Sequence, residues 1–96
     1  MWAQIVKSRL KAGSEEEFQR LGDEPGPQRP GLVRSLILRD QNDRRQIYSV
    51  IVFESEEIAR EFEHTPETQA FVARIQSVME GTPEYVDCEV VVDRGQ

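Results

Sequence analysis

The stretch Leu32–Phe53, LVRSLILRDQNDRRQIYSVIVF, decides the fold. Leu32 to Arg39 and Arg44 to Phe53 are rich in β-branched and large apolar residues. Asp40-Gln41-Asn42-Asp43 between them has the short polar composition of a hairpin turn, so the pair reads as two antiparallel strands. Neither strand alternates cleanly. Ile47, Ile51 and Phe53 fall on one face of the second strand, while Tyr48, Val50 and Val52 fall on the other. The first repeats the point, with Leu32, Leu36 and Leu38 opposing Val33 and Ile37. A sheet covered on one side by helices should be polar on its other side. Leaving such side chains in water forfeits roughly 1.5–3 kcal/mol each, and a contiguous apolar sheet face normally marks an interface. The two-sided strands therefore predict a homodimer through the sheet face. Aliphatics scattered over an ordinary surface are the alternative, but they do not account for apolar positions in register on adjacent strands.

Outward from this hairpin, breakers and caps divide the chain. Trp2 to Leu10 mixes β-branched and polar residues and reads as a strand that Gly13 ends. Ser14-Glu15-Glu16-Glu17 then has the form of a capping box, and Phe18 and Leu21 form the buried stripe of a short helix. Residues 22–31, GDEPGPQRPG, hold three Gly and three Pro, a density that forces a loop. After the hairpin, Ser55 caps a helix whose inner face carries Ile58 and Phe62. Thr65-Pro66 restarts a helix, with Phe71, Ile75, Val78 and Met79 as its stripe. Gly81 and Pro83 stop it, Val86 to Val92 is the last strand, and residues 93–96 are a polar tail. Asp87 and Glu89 make that strand partly polar, as suits an edge.

The order β-α-β-β-α-β is the ferredoxin-like split βαβ arrangement: an α+β domain with a four-stranded antiparallel sheet and both helices on one face. At 96 residues and 11.1 kDa the chain forms one domain, 1–96. Acidic residues outnumber basic ones 18 to 12, and a net charge of −6 repels phosphate backbones. Neither nucleic acid nor a membrane is expected as a partner, and no apolar run approaches the roughly 20 residues of a membrane span. There is no signal-peptide pattern at the N-terminus. One Cys and one His cannot furnish a thiolate/imidazole zinc cage, and a cytoplasmic setting is expected.

The element order and several short motifs converge on one resemblance. Gly13-Ser14-Glu15-Glu16-Glu17-Phe18, Pro30-Gly31 and Phe53-Glu54-Ser55-Glu56-Glu57 resemble, in order and spacing, the antibiotic biosynthesis monooxygenase (ABM) domain family of the dimeric α/β-barrel superfamily. The resemblance covers nearly the whole chain. It implies two ferredoxin-like subunits whose sheets pack into a barrel, with a small pocket in each subunit between sheet and helices. Enzymatic members oxidise aromatic polyketides or quinol-like compounds with molecular oxygen and neither metal nor flavin, so no cofactor is expected. A haem-degrading branch resembles this pattern with an Asn on the first strand, a Trp on a later helix and a His beyond it. Ser8, Phe62 and Val72 stand at those positions here, and no axial ligand remains for haem iron. A further departure is the loop over 22–31, where family members run a longer first helix.

Within that frame the residues offer few reactive groups. His64 is the one histidine of the chain, the residue type best suited to proton transfer at neutral pH, and it is the candidate general base; an exposed His at a helix junction is the alternative. Gln4 and Ser8 share a strand face with Val6 and Leu10, where polar groups must find partners in protein, water or ligand. They are read, with Phe62, as substrate-binding residues that orient a phenol or quinone oxygen. Tyr48 lines the same cavity or the dimer core. Cys88, among Val86, Val90 and Val92, reads as a structural thiol. Arg outnumbers Lys ten to two, which surface pairing with carboxylates explains. Two functions follow: a cofactor-independent monooxygenase acting on an aromatic or quinol-like molecule, and a non-catalytic module that binds a small apolar or aromatic ligand.

Overall fold

The computed structural model describes residues 1–27 and 29–95; Gln28 of the predicted loop and Gln96 of the predicted tail lie outside them. The elements are β1 (Trp2–Leu10), α1 (Glu15–Asp23), β2 (Leu32–Asp40), β3 (Asp43–Phe53), α2 (Glu56–Glu63), α3 (Pro66–Gln76) and β4 (Met79–Glu89). The sheet is antiparallel throughout, in the order β2-β3-β1-β4. This is the ferredoxin-like arrangement, with two helices in the second crossover. β1 and β3 are central, and β4 lies at an edge as its polar residues required.

Local signals account for most boundaries. The Ser55 hydroxyl accepts a hydrogen bond from the Ile58 amide at 3.2 Å, and Thr65 accepts from the Thr68 amide at 3.3 Å with Pro66 in the first turn. Ser14 occupies the N-cap position of α1 but makes no side-chain cap bond, which corrects the capping box expected there. The acidic first turn Glu15–Glu17 still favours the positive end of the helix dipole. α1 also runs through Gly22 and Asp23, so the loop begins at Glu24.

The last strand is the largest difference. It was expected from Val86 to Val92 after a helix reaching Met79; instead α3 ends at Gln76 and β4 starts at Met79. Met79 pairs with Leu10 across the sheet, so it extends a strand and not a helix. Gly81 and Pro83 do not stop β4, because the ladder steps around them: Arg9 pairs with Glu80 while Lys7 pairs with Glu84. Such a bulge takes up Gly81, at φ +70, and a proline that an edge strand tolerates. At the other end β1 begins at Trp2, opposite Glu89, and the strand runs out of partner. Val91 and Val92 are accordingly exposed.

Two cores form on the helix face of the sheet. Leu10, Phe18, Leu21, Ile47, Val78 and Met79 pack at one end, with Ile75 against them. Trp2, Phe53 and Ala59 pack at the other, with Leu32, Ile51, Ile58 and Phe62. Leu32 joins this side because the β2–β3 register shifts between Leu32 and Arg34, so it does not share a face with Leu36 and Leu38 as its spacing suggested. Helices lie on the Ile47/Ile51/Phe53 face alone. The opposite face carries Leu36 and Leu38 on β2, Tyr48, Val50 and Val52 on β3, Ala3 and Ile5 on β1, and Val86 and Cys88 on β4, all in register.

One turn ties β2 to this framework. The Leu32 amide donates to the Arg29 carbonyl at 3.0 Å, with Pro30 and Gly31 between them and Gly31 at φ +80, the requirements of a type II turn. The Glu54 amide donates to the Gly31 carbonyl at 2.9 Å. A Cβ on Gly31 would lie 2.6 Å from Cγ2 of Ile58. Gly31→Ala is therefore expected to cost about 1–3 kcal/mol of stability through left-handed strain and displacement of Ile58. Urea denaturation checks it; a loss below the error of the fit would mean that the turn rebuilds in another form.

Candidate functional site

Between the two cores the helices leave the middle of the sheet uncovered, and a cavity of about 350 Å³ opens there. That volume lies in the range of small-molecule sites, roughly 300–1,000 Å³. Its floor is the inner face of β1, β3 and β2, with Trp2, Val6, Ile51 and Phe53 as apolar surface. Its walls include Phe18 and Leu21 of α1, Phe62 of α2, and Phe71 and Ile75 of α3. The spacing of Phe71 and Ile75, read as a core stripe, turns them toward this space. Val78 and Met79 lie beyond the helix, and Met79 lines the cavity from β4.

Gln4 and Ser8 line the cavity, as does Phe62. The Gln4 Nε2 donates to Asp87 Oδ1 at 3.0 Å. A carboxylate only accepts, so the amide nitrogen must face Asp87 and the amide oxygen is left as an acceptor. Among the described residues that oxygen receives no hydrogen bond, and neither does the Ser8 hydroxyl engage a partner. Asp87 is in turn held by Arg60, whose guanidinium lies 2.8 Å from Oδ2 and also pairs with Glu56 and Glu63. The hydrogen bonds from Gln4 and then Arg60 hold the Asp87 carboxyl below the usual carboxylate range. Asp87 thus stays an acceptor at neutral pH and fixes Gln4.

His64 and Tyr48 are placed elsewhere. His64 is exposed at the C-cap of α2, where its backbone amide bonds back to Glu61 and Phe62, and its side chain does not line the cavity. Its closeness to a helix start in sequence put it at a junction on the outside of the helical layer, so the general base expected from it is not assembled at this site. Tyr48 points to the opposite face of the sheet, with Val50 and Val52, because odd and even positions of β3 alternate across the pleat. Cys88, half-buried beside Ala3, is on that outer face as well.

Several polar lining residues, Ser35, Ser49 and Arg29 among them, do not stand out in the sequence. Ser35 and Ser49 add hydroxyls to the floor. The signal for Ser49 was present: a small polar residue between Ile47 and Ile51 on an otherwise apolar face, the same pattern that marked Gln4 and Ser8. Arg29 comes from the Pro/Gly loop. Its guanidinium lies 5.5 Å from the centre of the Phe62 ring and 5.7 Å from that of Phe71. Burial pushes its pKa below the ordinary value for an arginine. Glu24 and Glu63 also line the cavity, but each is engaged, Glu24 by Arg74 and Glu63 by Arg60. Among the described residues no group of three His, Cys, Asp or Glu is placed to hold a metal ion. No helix of the described residues is long and apolar enough to cross a membrane.

A ferredoxin-like subunit with an apolar cavity of small-molecule size between sheet and helices, floored by a few hydroxyl and amide groups, is the α+β frame these residues build. The sequence matches the family model for antibiotic biosynthesis monooxygenase over residues 1–74, and the chain belongs to that family. No curated protein matches it significantly. Among solved structures it is similar to a protein from Nitrosomonas europaea named for the same family, with a TM-score of 0.82, 18% identity and coverage of 96% of this chain and 100% of that one. A protein of the same designation from Chloroflexus aurantiacus gives a TM-score of 0.81 at 20% identity, covering 98% of this chain and 96% of the other. SnoaB, a cofactor-independent oxygenase from Streptomyces nogalater, gives 0.76 at 14% identity, covering 99% and 98%. At these identities the likeness establishes the fold.

Proposed function

We propose that the protein is a monooxygenase that uses molecular oxygen without metal or flavin, acting on an aromatic or quinol-like molecule in this cavity. The observation that carries the reading is the cavity itself: aromatic and aliphatic walls over a floor where the Gln4 carbonyl and Ser8 hydroxyl are free to bond a ligand. The family supports it, and so does the fold shared with SnoaB. In such a reaction an anthrone-type CH2 group gives up two hydrogens, one oxygen atom enters as a carbonyl, and the other leaves as water. Electron density for oxygen comes from the substrate's own enolate or phenolate. Gln4 accepts from the substrate hydroxyl and Ser8 orients the oxygen that becomes anionic. An apolar enclosure keeps bulk water from the reduced oxygen species.

The test is oxygen uptake with a reduced anthrone in an oxygen electrode. One equivalent of oxygen is expected per substrate, with Ser8→Ala lowering kcat/KM about three- to tenfold, the loss of one hydrogen bond. His64→Ala is expected to leave uptake unchanged, since its side chain is outside the cavity. A loss in His64→Ala would restore it as the base. Saturable anthrone binding with no uptake would establish instead a module that holds its ligand without turnover.

The same reading includes a homodimer through the outer sheet face, where apolar side chains of all four strands lie in register and Leu36, Leu38 and Val86 are each about two-fifths exposed. Residues 1–96 act as one domain in this scheme, in a cytoplasmic setting consistent with the single unpaired Cys88.

A further inference from the structure

We propose that the cavity selects an aromatic carboxylate, with Arg29 as the residue that recognises its anion. This rests on the cavity being the ligand site and adds the charge of what it takes. Arg29 is a half-buried cation on the cavity wall with no carboxylate partner among the described residues. The two lining carboxylates are each paired with another arginine, Glu24 with Arg74 and Glu63 with Arg60, which Glu56 and Asp87 share. Leaving a guanidinium partly desolvated and unpaired is costly unless something compensates it. The rings of Phe62 and Phe71 compensate in part, because their faces attract the cation. Contacts to ring faces use the charge and leave the N–H donors free. A planar fork of donors matches the two oxygens of a carboxylate, and the aromatic walls beside it match a flat apolar body.

The backbone is built to hold Arg29 there. Its carbonyl closes the Pro30-Gly31 turn, Gly31 packs against Ile58, and the Gly31 carbonyl is tied to Glu54. A loop of many Gly and Pro residues thus ends in a fixed point immediately after the arginine. The Pro/Gly loop, which shortens the first helix, in this way exchanges helical wall for one positioned cation.

The experiment compares 2-naphthoate with 2-naphthamide, which has nearly the same shape and no charge, by isothermal titration calorimetry at neutral pH. Wild-type protein is expected to bind naphthoate at least about tenfold more tightly, as a charge-assisted hydrogen bond allows. Arg29→Gln is expected to erase the preference, with far-UV circular dichroism and urea denaturation showing that the variant is folded. The wild-type comparison stands even if that variant does not fold. Equal affinities in the wild type, a preference that survives in Arg29→Gln, or no binding of naphthoate would overturn the proposal. Oxygen uptake, assayed with both a neutral anthrone and an anthrone carboxylate, reports separately on the monooxygenase reading. Uptake without a charge preference refutes the anion site alone, and a charge preference without uptake refutes the oxygenase alone.

Discussion

Leu10→Ala lowers the free energy of unfolding by about 2–5 kcal/mol, the range for truncating a large buried aliphatic. Leu10 has no exposed surface and ends β1 where four other parts of the chain meet it: Phe18 and Leu21 of α1, Ile47 of β3, Val78, and Met79 of β4. It pairs with Met79 across the sheet, and the next amide, Lys11, donates to the Val78 carbonyl at 2.9 Å. The side chain thus anchors the start of the edge strand as well as the helix over it. Domains of this size are stable by roughly 5–15 kcal/mol, so the loss takes a large share of the total. Urea denaturation at fixed protein concentration reads it as a lower midpoint with an unchanged slope. A cost below about 1 kcal/mol would mean that Phe18 and Met79, which border the cavity, collapse into the vacated volume.

Val50→Asp converts the proposed dimer to a monomer. Val50 sits on the outer face of a central strand, paired with Ile5 on β1 and Leu36 on β2. In a twofold arrangement every substitution enters twice, and a carboxylate at the middle of an apolar interface must be desolvated without a partner. The effective penalty is several kcal/mol per ion, which raises the dimer dissociation constant by about a hundredfold or more. The subunit itself is expected to survive, because Val50 faces away from both cores on the helix side. Native mass spectrometry is expected to give about twice 11.1 kDa for the wild type and the chain mass for the variant. A variant that remains dimeric would place the contact on another surface.

Much of the architecture was legible because it was written in local chemistry. Ser55 and Thr65-Pro66 cap their helices through bonds that three or four adjacent residues supply, and the polar turn at 40–43 closes its hairpin for the same reason. The failures share a cause. Gly81 and Pro83 are helix stops by local rules, yet here they occupy a bulge whose existence depends on pairing with β1, more than 70 residues earlier. Val91 and Val92 have the composition of a strand, but the ladder ends where the Val90 amide meets the Met1 carbonyl at 3.1 Å.

The candidate site divides along the same line. Gln4 and Ser8 could be found because polar residues interrupting an apolar strand face carry their own signal. Arg29 carried none: in a loop it is one arginine of ten, and only the fold sets it between Phe62 and Phe71. His64 shows the converse. Its chemistry drew attention, while its side of the helix was not encoded in its immediate neighbours.

The stepped register of β4 also limits how these molecules can stick together. A free strand edge is a template onto which another chain's strand can be laid, and repetition of that event builds fibres. Here the exposed border is kinked at Gly81, lacks a donor at Pro83, and is dotted with Glu80, Glu84 and Glu89. The opposite border, β2, presents Arg34 and Arg39. Lateral addition is discouraged on both sides, which leaves the broad face between them. Contact through a face can close on itself after two copies, so the irregular edge turns a surface rich in exposed aliphatics toward finite assembly and away from endless growth.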